Sequence, residues 1–301
     1  MVCYHPITAW RSVDGRGANG RWPLVFNKRD GYSDLEVQIP CGQCVGCRLE
    51  RSRQWAVRCI HEASLYKDNC FLTLTYNDEN LKTDSLVPRD FVLFMKRFRK
   101  RFGAGIRFFH CGEYGSINKR PHHHAIIFNF DFPDKEFWKP NRGYPIYRSP
   151  SLEELWPFGY SSIGAVTFES AAYVARYIMK KITGDDAIEH YQGRIPEYVT
   201  MSRKPGIAYE WFRKYHNDVY PNDYIVLRDG IKSRPPRYYD NLFDRIHDLY
   251  ITDNDKLPSL DTLKYRRKLK ARIHAANSTY RRLRVREQCQ LKKLDLLVRS
   301  I

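Results

Sequence analysis

The sequence predicts an α+β fold, a central antiparallel sheet with helices on one face, and three observations carry that prediction. Apolar residues switch between a period of two and a period near 3.6 in the order strand, helix, strand, strand, strand, helix. The middle strands are joined by a short loop rich in Gly, Ser, Asn and Lys, as a hairpin requires. With 301 residues, 43% hydrophobic and 14% aromatic, the chain can bury a real core. Consecutive antiparallel strands interrupted by helices favour this class over a doubly wound parallel sheet.

Each element has a local reason. The stretch Cys47 to Glu62 lacks Gly and Pro and reads as a helix. Phe71-Leu-Thr-Leu-Thr-Tyr76 alternates and is β-branched, so it is a strand, broken by Asn77-Asp-Glu-Asn80. A helix is expected to start near Pro88, which suits a first-turn position. Its Phe91, Phe94, Met95, Phe98 and Phe102 share one side, while Lys96, Arg97, Arg99, Lys100 and Arg101 fill the other, and Gly103-Ala-Gly105 stops it. Strands follow at Ile106–Cys111 and His122–Phe130, then a Pro-rich excursion over 131–158. Ser161–Phe168 reads as a fourth strand, and Ser170 as the cap of a helix reaching about Ile182. Beyond ~200 the chain reads as loop-rich and basic to about Pro258. Lys256–Ile301 then holds 14 Lys and Arg against three acids, a net +11, with apolar residues at three- and four-residue steps. That is an amphipathic, strongly basic helix. The expected division is a Cys-bearing segment and helix at 1–66, a core at 67–200, and a basic region at 201–301.

Charge narrows the partners. The 51 Lys and Arg against 34 Asp and Glu give a formal +17, which points to a polyanion, nucleic acid first. The longest apolar run is the five residues Phe91–Met95, far short of a bilayer span. The start, Met-Val-Cys-Tyr-His-Pro, lacks the pattern of a secretory signal, so the expectation is a cytosolic protein with reduced thiols and no membrane partner. Eight cysteines then read better as thiols or metal ligands than as a disulfide framework.

Three patterns have chemical meaning. In Arg120-Pro-His-His-His-Ala, residues i and i+2 of a strand share a face, so His122 and His124 project together and His123 points away. Two imidazoles on a rigid strand are half of a divalent-metal site, or a plain histidine cluster. If the hairpin turns near Ile117 and Asn118, Glu113 lies opposite His122, within reach of the same ion. One Glu with two His, leaving positions open, suits Mg²⁺ or Mn²⁺ acting on phosphate oxygens. On the following helix Tyr173, Tyr177 and Lys181 succeed one another at i, i+4, beside Arg176. Two phenols among cations read either as alternating nucleophiles on a phosphodiester or as packed tyrosines. Finally, Cys41-x-x-Cys44-x-x-Cys47, with Cys3 or Cys59, reads either as a structural zinc site, with an iron–sulfur look, or as buried thiols.

The succession Phe71–Tyr76, Gly112-Glu-Tyr-Gly115, Arg120-Pro-His-His-His124 and Tyr173-Val-Ala-Arg-Tyr-Ile-Met-Lys-Lys181 resembles, in order and spacing, the three motifs of HUH-type rolling-circle replication initiators. The closest likeness is to the initiators of small icosahedral single-stranded DNA phages, the gokushovirus branch of the microviruses. Pro40-Cys-Gly-Gln-Cys-Val-Gly-Cys47 and the residues to Arg58 resemble that branch's N-terminal signature, so the likeness covers about 40–185. Two positions depart from the pattern. The middle of the histidine motif is normally apolar and here is His123; the place before the second tyrosine is often Lys and here is Arg176.

The resemblance implies an RRM-like HUH endonuclease core that nicks single-stranded origin DNA by metal-assisted tyrosine transesterification. It implies His122, His124 and Glu113 as metal ligands, and Tyr173 and Tyr177 as nucleophiles assisted by Lys181 and Arg176. It also implies a 5′-phosphotyrosine intermediate, origin DNA and a host helicase as partners, and the cytoplasm of the host bacterium as the place of action. A non-catalytic single-stranded DNA-binding protein on the same fold is the alternative, and a water-using phosphohydrolase a third reading. The paired tyrosines argue against the third. A binder alone has no reason to hold the carboxylate, both imidazoles and both phenols together.

Overall fold

A computed structural model describes residues 3–18, 20, 22–115, 118–141, 143–180, 182, 186–247 and 258–296, with the side chains of 176–180, Asp186 and His247 left aside. By internal contacts the chain forms two units, an N-terminal unit of residues 1–50 with 269–300 and a central unit of residues 51–268.

The N-terminal unit holds a three-stranded antiparallel sheet of β1 (Ile7–Ser12), β2 (Leu24–Val25) and β3 (Gly31–Ile39), in the order β2-β1-β3. Helix α1 (Val45–Ala63) begins here and continues into the central unit.

In the central unit come β4 (Asn69–Thr75), α2 (Pro88–Phe102), β5 (Arg107–Tyr114) and β6 (Pro121–Phe128). There follow β7 (Glu136–Asn141), β8 (Tyr144–Arg148), α3 (Pro150–Leu155), β9 (Ser161–Gly164) and α4 (Phe168–Lys180). The remainder is α5 (Asp186–Tyr191), β10 (Tyr198–Met201), α6 (Tyr209–Val219), a small ribbon of β11 (Ile225–Val226) and β12 (Lys232–Ser233), and α7 (Arg237–His247). One seven-stranded sheet runs β10-β5-β6-β4-β9-β8-β7, and each of its pairings is antiparallel.

The α+β class and the antiparallel sheet agree with the sequence, but helices cover both faces of the sheet rather than one. Strand alternation shows why. Phe71, Phe109, Ile126 and Phe128 join residues of α1, α4, α6 and α7 in one buried cluster. Their neighbours Cys70, Leu72, Leu74, Ala125 and Ile127 join α2 and α3 in another. A sheet apolar on both sides must be covered twice.

Other elements also depart from the sequence reading. The excursion over 131–158 contains the β7–β8 hairpin and α3, the latter capped by Ser149, whose hydroxyl accepts from the Leu152 N–H. The stretch taken as loop beyond 200 contains α6 and α7, whose Phe212, Val219, Tyr239 and Phe243 are buried. At the start of α4 the cap is Thr167, not Ser170. The Thr167 hydroxyl accepts from the Ser170 N–H at 3.1 Å, while the Ser170 hydroxyl accepts from the Thr167 N–H at 2.8 Å, a reciprocal box. The basic C-terminal stretch is two helices, α8 (Leu260–Arg272) and α9 (Tyr280–Asp295), rather than one. Between them Ala275–Ser278 makes a 3₁₀ turn, and the Thr279 hydroxyl accepts from the Arg282 N–H to begin α9.

Candidate functional site

The site grows from the β5–β6 ladder. Glu113 pairs with His122 and Cys111 with His124, so the side chains of 113, 122 and 124 emerge on one face of the sheet. Glu113 Oε1 lies 2.6 Å from His122 Nε2 and 3.0 Å from His124 Nε2. One ligand atom from each of the three lies within 4.8 Å of the other two. Glu113 is 1% exposed and His124 4%, while His122 is half-buried and forms the open side of the group.

Each imidazole is held from behind. The Arg120 backbone carbonyl, which only accepts, lies 3.0 Å from His122 Nδ1, so His122 carries a proton there. Thr73 Oγ1 lies 3.0 Å from His124 Nδ1, because Thr73 is the β4 residue paired with His124. Both rings therefore turn Nε2 inward, the arrangement that outer partners impose on metal-ligating histidines. Burial alone would raise the Glu113 carboxyl, but the hydrogen bonds and charges of His122 and His124 hold it at about 2. An ionised carboxylate with two inward ring nitrogens is a donor set that fits a divalent cation with room for other ligands.

Helix α4 brings the phenol. Tyr173 lies on the face of α4 toward the sheet, its Oη 3.4 Å from Glu113 Oε1 and its ring edge-on to His124 at 5.2 Å between centroids. It is 9% exposed. Tyr177 and Arg176 lie on α4, but their side chains are outside the described residues, as is all of Lys181. Cys41, Cys44 and Cys47 lie together in the N-terminal unit, joined by Cys3. Cys59 is instead buried in the central core, where burial holds its thiol protonated.

His123 has a different environment. On the α2 side of the sheet, the Asp90 carboxylate accepts from the Tyr76 hydroxyl at 2.9 Å. Tyr76 therefore accepts in turn from His123 Nε2, at 3.1 Å. His123 Nδ1 then accepts from His110 Nε2 at 3.1 Å, and His110 Nδ1 from the Thr200 hydroxyl at 2.8 Å. The Phe91 ring stacks on His110 at 3.4 Å. Burial keeps both imidazoles neutral, pushing His123 down to about 3.

Sequence reasoning missed Thr73. The signal was available, since Thr73 and Thr75 alternate with Leu72 and Leu74 and so mark the polar, site-facing side of β4.

Comparison with known proteins is consistent across this region. The family model for the ORF2-type replication-associated proteins matches residues 69–182. Replication-associated protein VP4 of Bdellovibrio phage phiMH2K is 37% identical over 258 residues, covering 82% of this chain and 78% of that one. The chain belongs to the replication-associated proteins of the microviruses. Replication-associated protein ORF2 of Spiroplasma virus 4 is 35% identical over 266 residues, 81% of each chain. Replication-associated protein ORF4 of Chlamydia phage 1 is 32% identical, over 72% of this chain and 57% of its own. No solved structure matches the chain. In this microvirus replication-associated protein, the matched segment spans β4 to α4 and so contains Glu113, His122, His124 and both tyrosines. No described helix is long and apolar enough to cross a membrane.

Proposed function

We propose that this protein initiates rolling-circle replication by nicking and rejoining single-stranded origin DNA through tyrosine, in the cytoplasm of the infected bacterium. The observation that supports it most is the convergence of Glu113, His122, His124 and the Tyr173 phenol on one face of the sheet. Mg²⁺ or Mn²⁺ bound by the first three would polarise the scissile phosphate and offset charge on the leaving oxygen. Tyr173 is the attacking group in this reading. Its oxygen forms a bond to phosphorus and loses the phenolic proton, the bond from phosphorus to the 3′ oxygen breaks, and that oxygen takes up a proton. One phosphoester replaces another, so the 5′-phosphotyrosine retains the energy needed for rejoining by reversal.

Tyr177, four residues on, supplies a second phenol, which lets the regenerated origin be cut while the first is still occupied. Arg176 and Lys181 are assigned to neutralise phosphate charge beside the phenols. The basic excess of the chain holds the DNA backbone, and a host helicase is the expected partner for opening duplex ahead of the nick.

The test is incubation of the full chain with a labelled single-stranded origin oligonucleotide and Mn²⁺. Denaturing gels and peptide mass spectrometry then locate any adduct. The expected adduct lies on Tyr173 or Tyr177, is lost in the double Tyr→Phe variant, and is partly retained in each single variant. His122→Ala with His124→Ala should abolish cleavage and leave DNA retention largely intact. An adduct in the double tyrosine variant, or full cleavage by the double histidine variant, overturns the reading.

A further inference from the structure

We propose that Cys3, Cys41, Cys44 and Cys47 together bind one structural zinc ion. The inference concerns the N-terminal unit and does not depend on the nicking reaction.

The fold delivers the four thiols for a simple reason. Strands β1 and β3 are antiparallel, with Ile7 opposite Ile39. The chain just before β1 and the chain just after β3 therefore leave the same end of the sheet, bringing Cys3 to Cys41. Gly42, at a φ of 77° that a side chain would resist, turns the backbone so that Cys44 returns to the same point. Helix α1 begins at Val45, which puts Cys47 in its first turn.

The donor geometry is that of a closed tetrathiolate. The four sulfurs lie within 4.8 Å of one another, and Cys44 Sγ and Cys3 Sγ are 3.9 Å apart. Zinc–sulfur bonds of about 2.3 Å in a tetrahedron place sulfurs about 3.8 Å apart. None of the four is in a disulfide. Backbone N–H groups point at the sulfurs: Cys41 at Cys3, Cys44 at Cys41 and Tyr4 at Cys44, each at 3.3 Å. Such donors, with the first turn of α1, offset the negative charge that four thiolates around a dication retain. A redox dithiol would need only two of these residues, and a catalytic zinc would keep an open position. Four sulfurs with no further ligand among the described residues mark a structural site.

The unit also needs it. Among the described residues, none of the three buried hydrophobic clusters includes a member from residues 1–50 or 269–300. A small sheet without such a cluster is the kind of unit that a metal staple stabilises.

The test uses the full chain, purified without added metal and dialysed, with metal measured by plasma mass spectrometry. About one zinc per chain is expected, retained in the His122→Ala/His124→Ala variant and lost in Cys3→Ser and Cys44→Ser. Because a cysteine variant can fail to fold, the unmodified chain is also exchanged with Co²⁺. Strong thiolate-to-cobalt charge transfer with visible bands of a tetrahedral site is expected. Absence of zinc together with absence of that spectrum overturns the proposal. So does zinc that follows the histidines rather than the cysteines, or iron accompanied by acid-labile sulfide.

Discussion

His122 and His124 turn toward Glu113, while His123 between them enters a separate hydrogen-bonded chain on the other side of the sheet. Two substitutions separate those roles. Thr73→Val removes the partner of His124 Nδ1 without opening a cavity, so affinity for Mn²⁺ should fall about 10–100-fold while the urea midpoint moves little. His123→Ala leaves Tyr76 and His110 unsatisfied in a buried place, so stability should fall by about 3 kcal/mol. Mn²⁺ affinity of the folded fraction should stay near the parent value. Isothermal titration beside urea unfolding checks both, and the reverse pattern would assign His123 to the metal. The partition was legible in the sequence, because strand alternation alone separates 122 and 124 from 123. Thr73 was not, because its role needs the β4–β6 register, a long-range pairing that no local pattern encodes.

At the scale of elements, the sheet edge beside the site depends on a close crossing. Tyr160 and Thr75 exchange backbone hydrogen bonds at 2.8 and 3.0 Å, and Asn77 N–H donates to the Phe158 carbonyl at 3.0 Å. Gly159 lies between them, and a Cβ there would be 2.3 Å from Asn77 N and 2.6 Å from Thr75 O. Backbone cannot yield as a flexible side chain can, so Gly159→Ala should cost about 3 kcal/mol. Nicking should fall with it, since β4 carries Thr73. An unchanged melting temperature would show that the loop repositions freely. Strands β4, β5 and β6 and helices α2 and α4 were legible because their periodicity is strong and their stops are explicit, as with Pro88 and Gly103. The β7–β8 hairpin was not: Pro140 and Pro145 face each other across it, and Pro argues against a strand in any local reading. Helices α6 and α7 were hidden by polar residues throughout, with tertiary burial of Phe212 and Phe243 deciding what local preference left open.

For the molecule as a whole, the buried histidines set a pH limit. Burial holds His61, stacked on Trp211 and bonded to Tyr239, down at about 3; His123 is also near 3 and His110 well below its ordinary 6.5. In the unfolded chain these groups titrate near 6.5, so below that pH the unfolded state binds protons that the native state refuses. Their contribution is fully present above about pH 6.5 and is lost progressively as pH falls toward 3. Glu113, ordinarily at 4.5 and here at about 2, adds a loss at still lower pH. Urea midpoints measured from about pH 7 to about pH 5 should decline steadily, and a flat series would mean that the three rings ionise in place.

The proton order Thr200, His110, His123, Tyr76, Asp90 runs in a single direction, and that has an evolutionary corollary. A lineage that exchanged His123 for an aliphatic residue would strand a donor on His110 and leave the Tyr76 oxygen without its imidazole donor. Drift at these positions therefore proceeds jointly, as a heritable set. Glu113, His122 and His124, across the sheet, are free of that bargain and answer only to what their own face must hold.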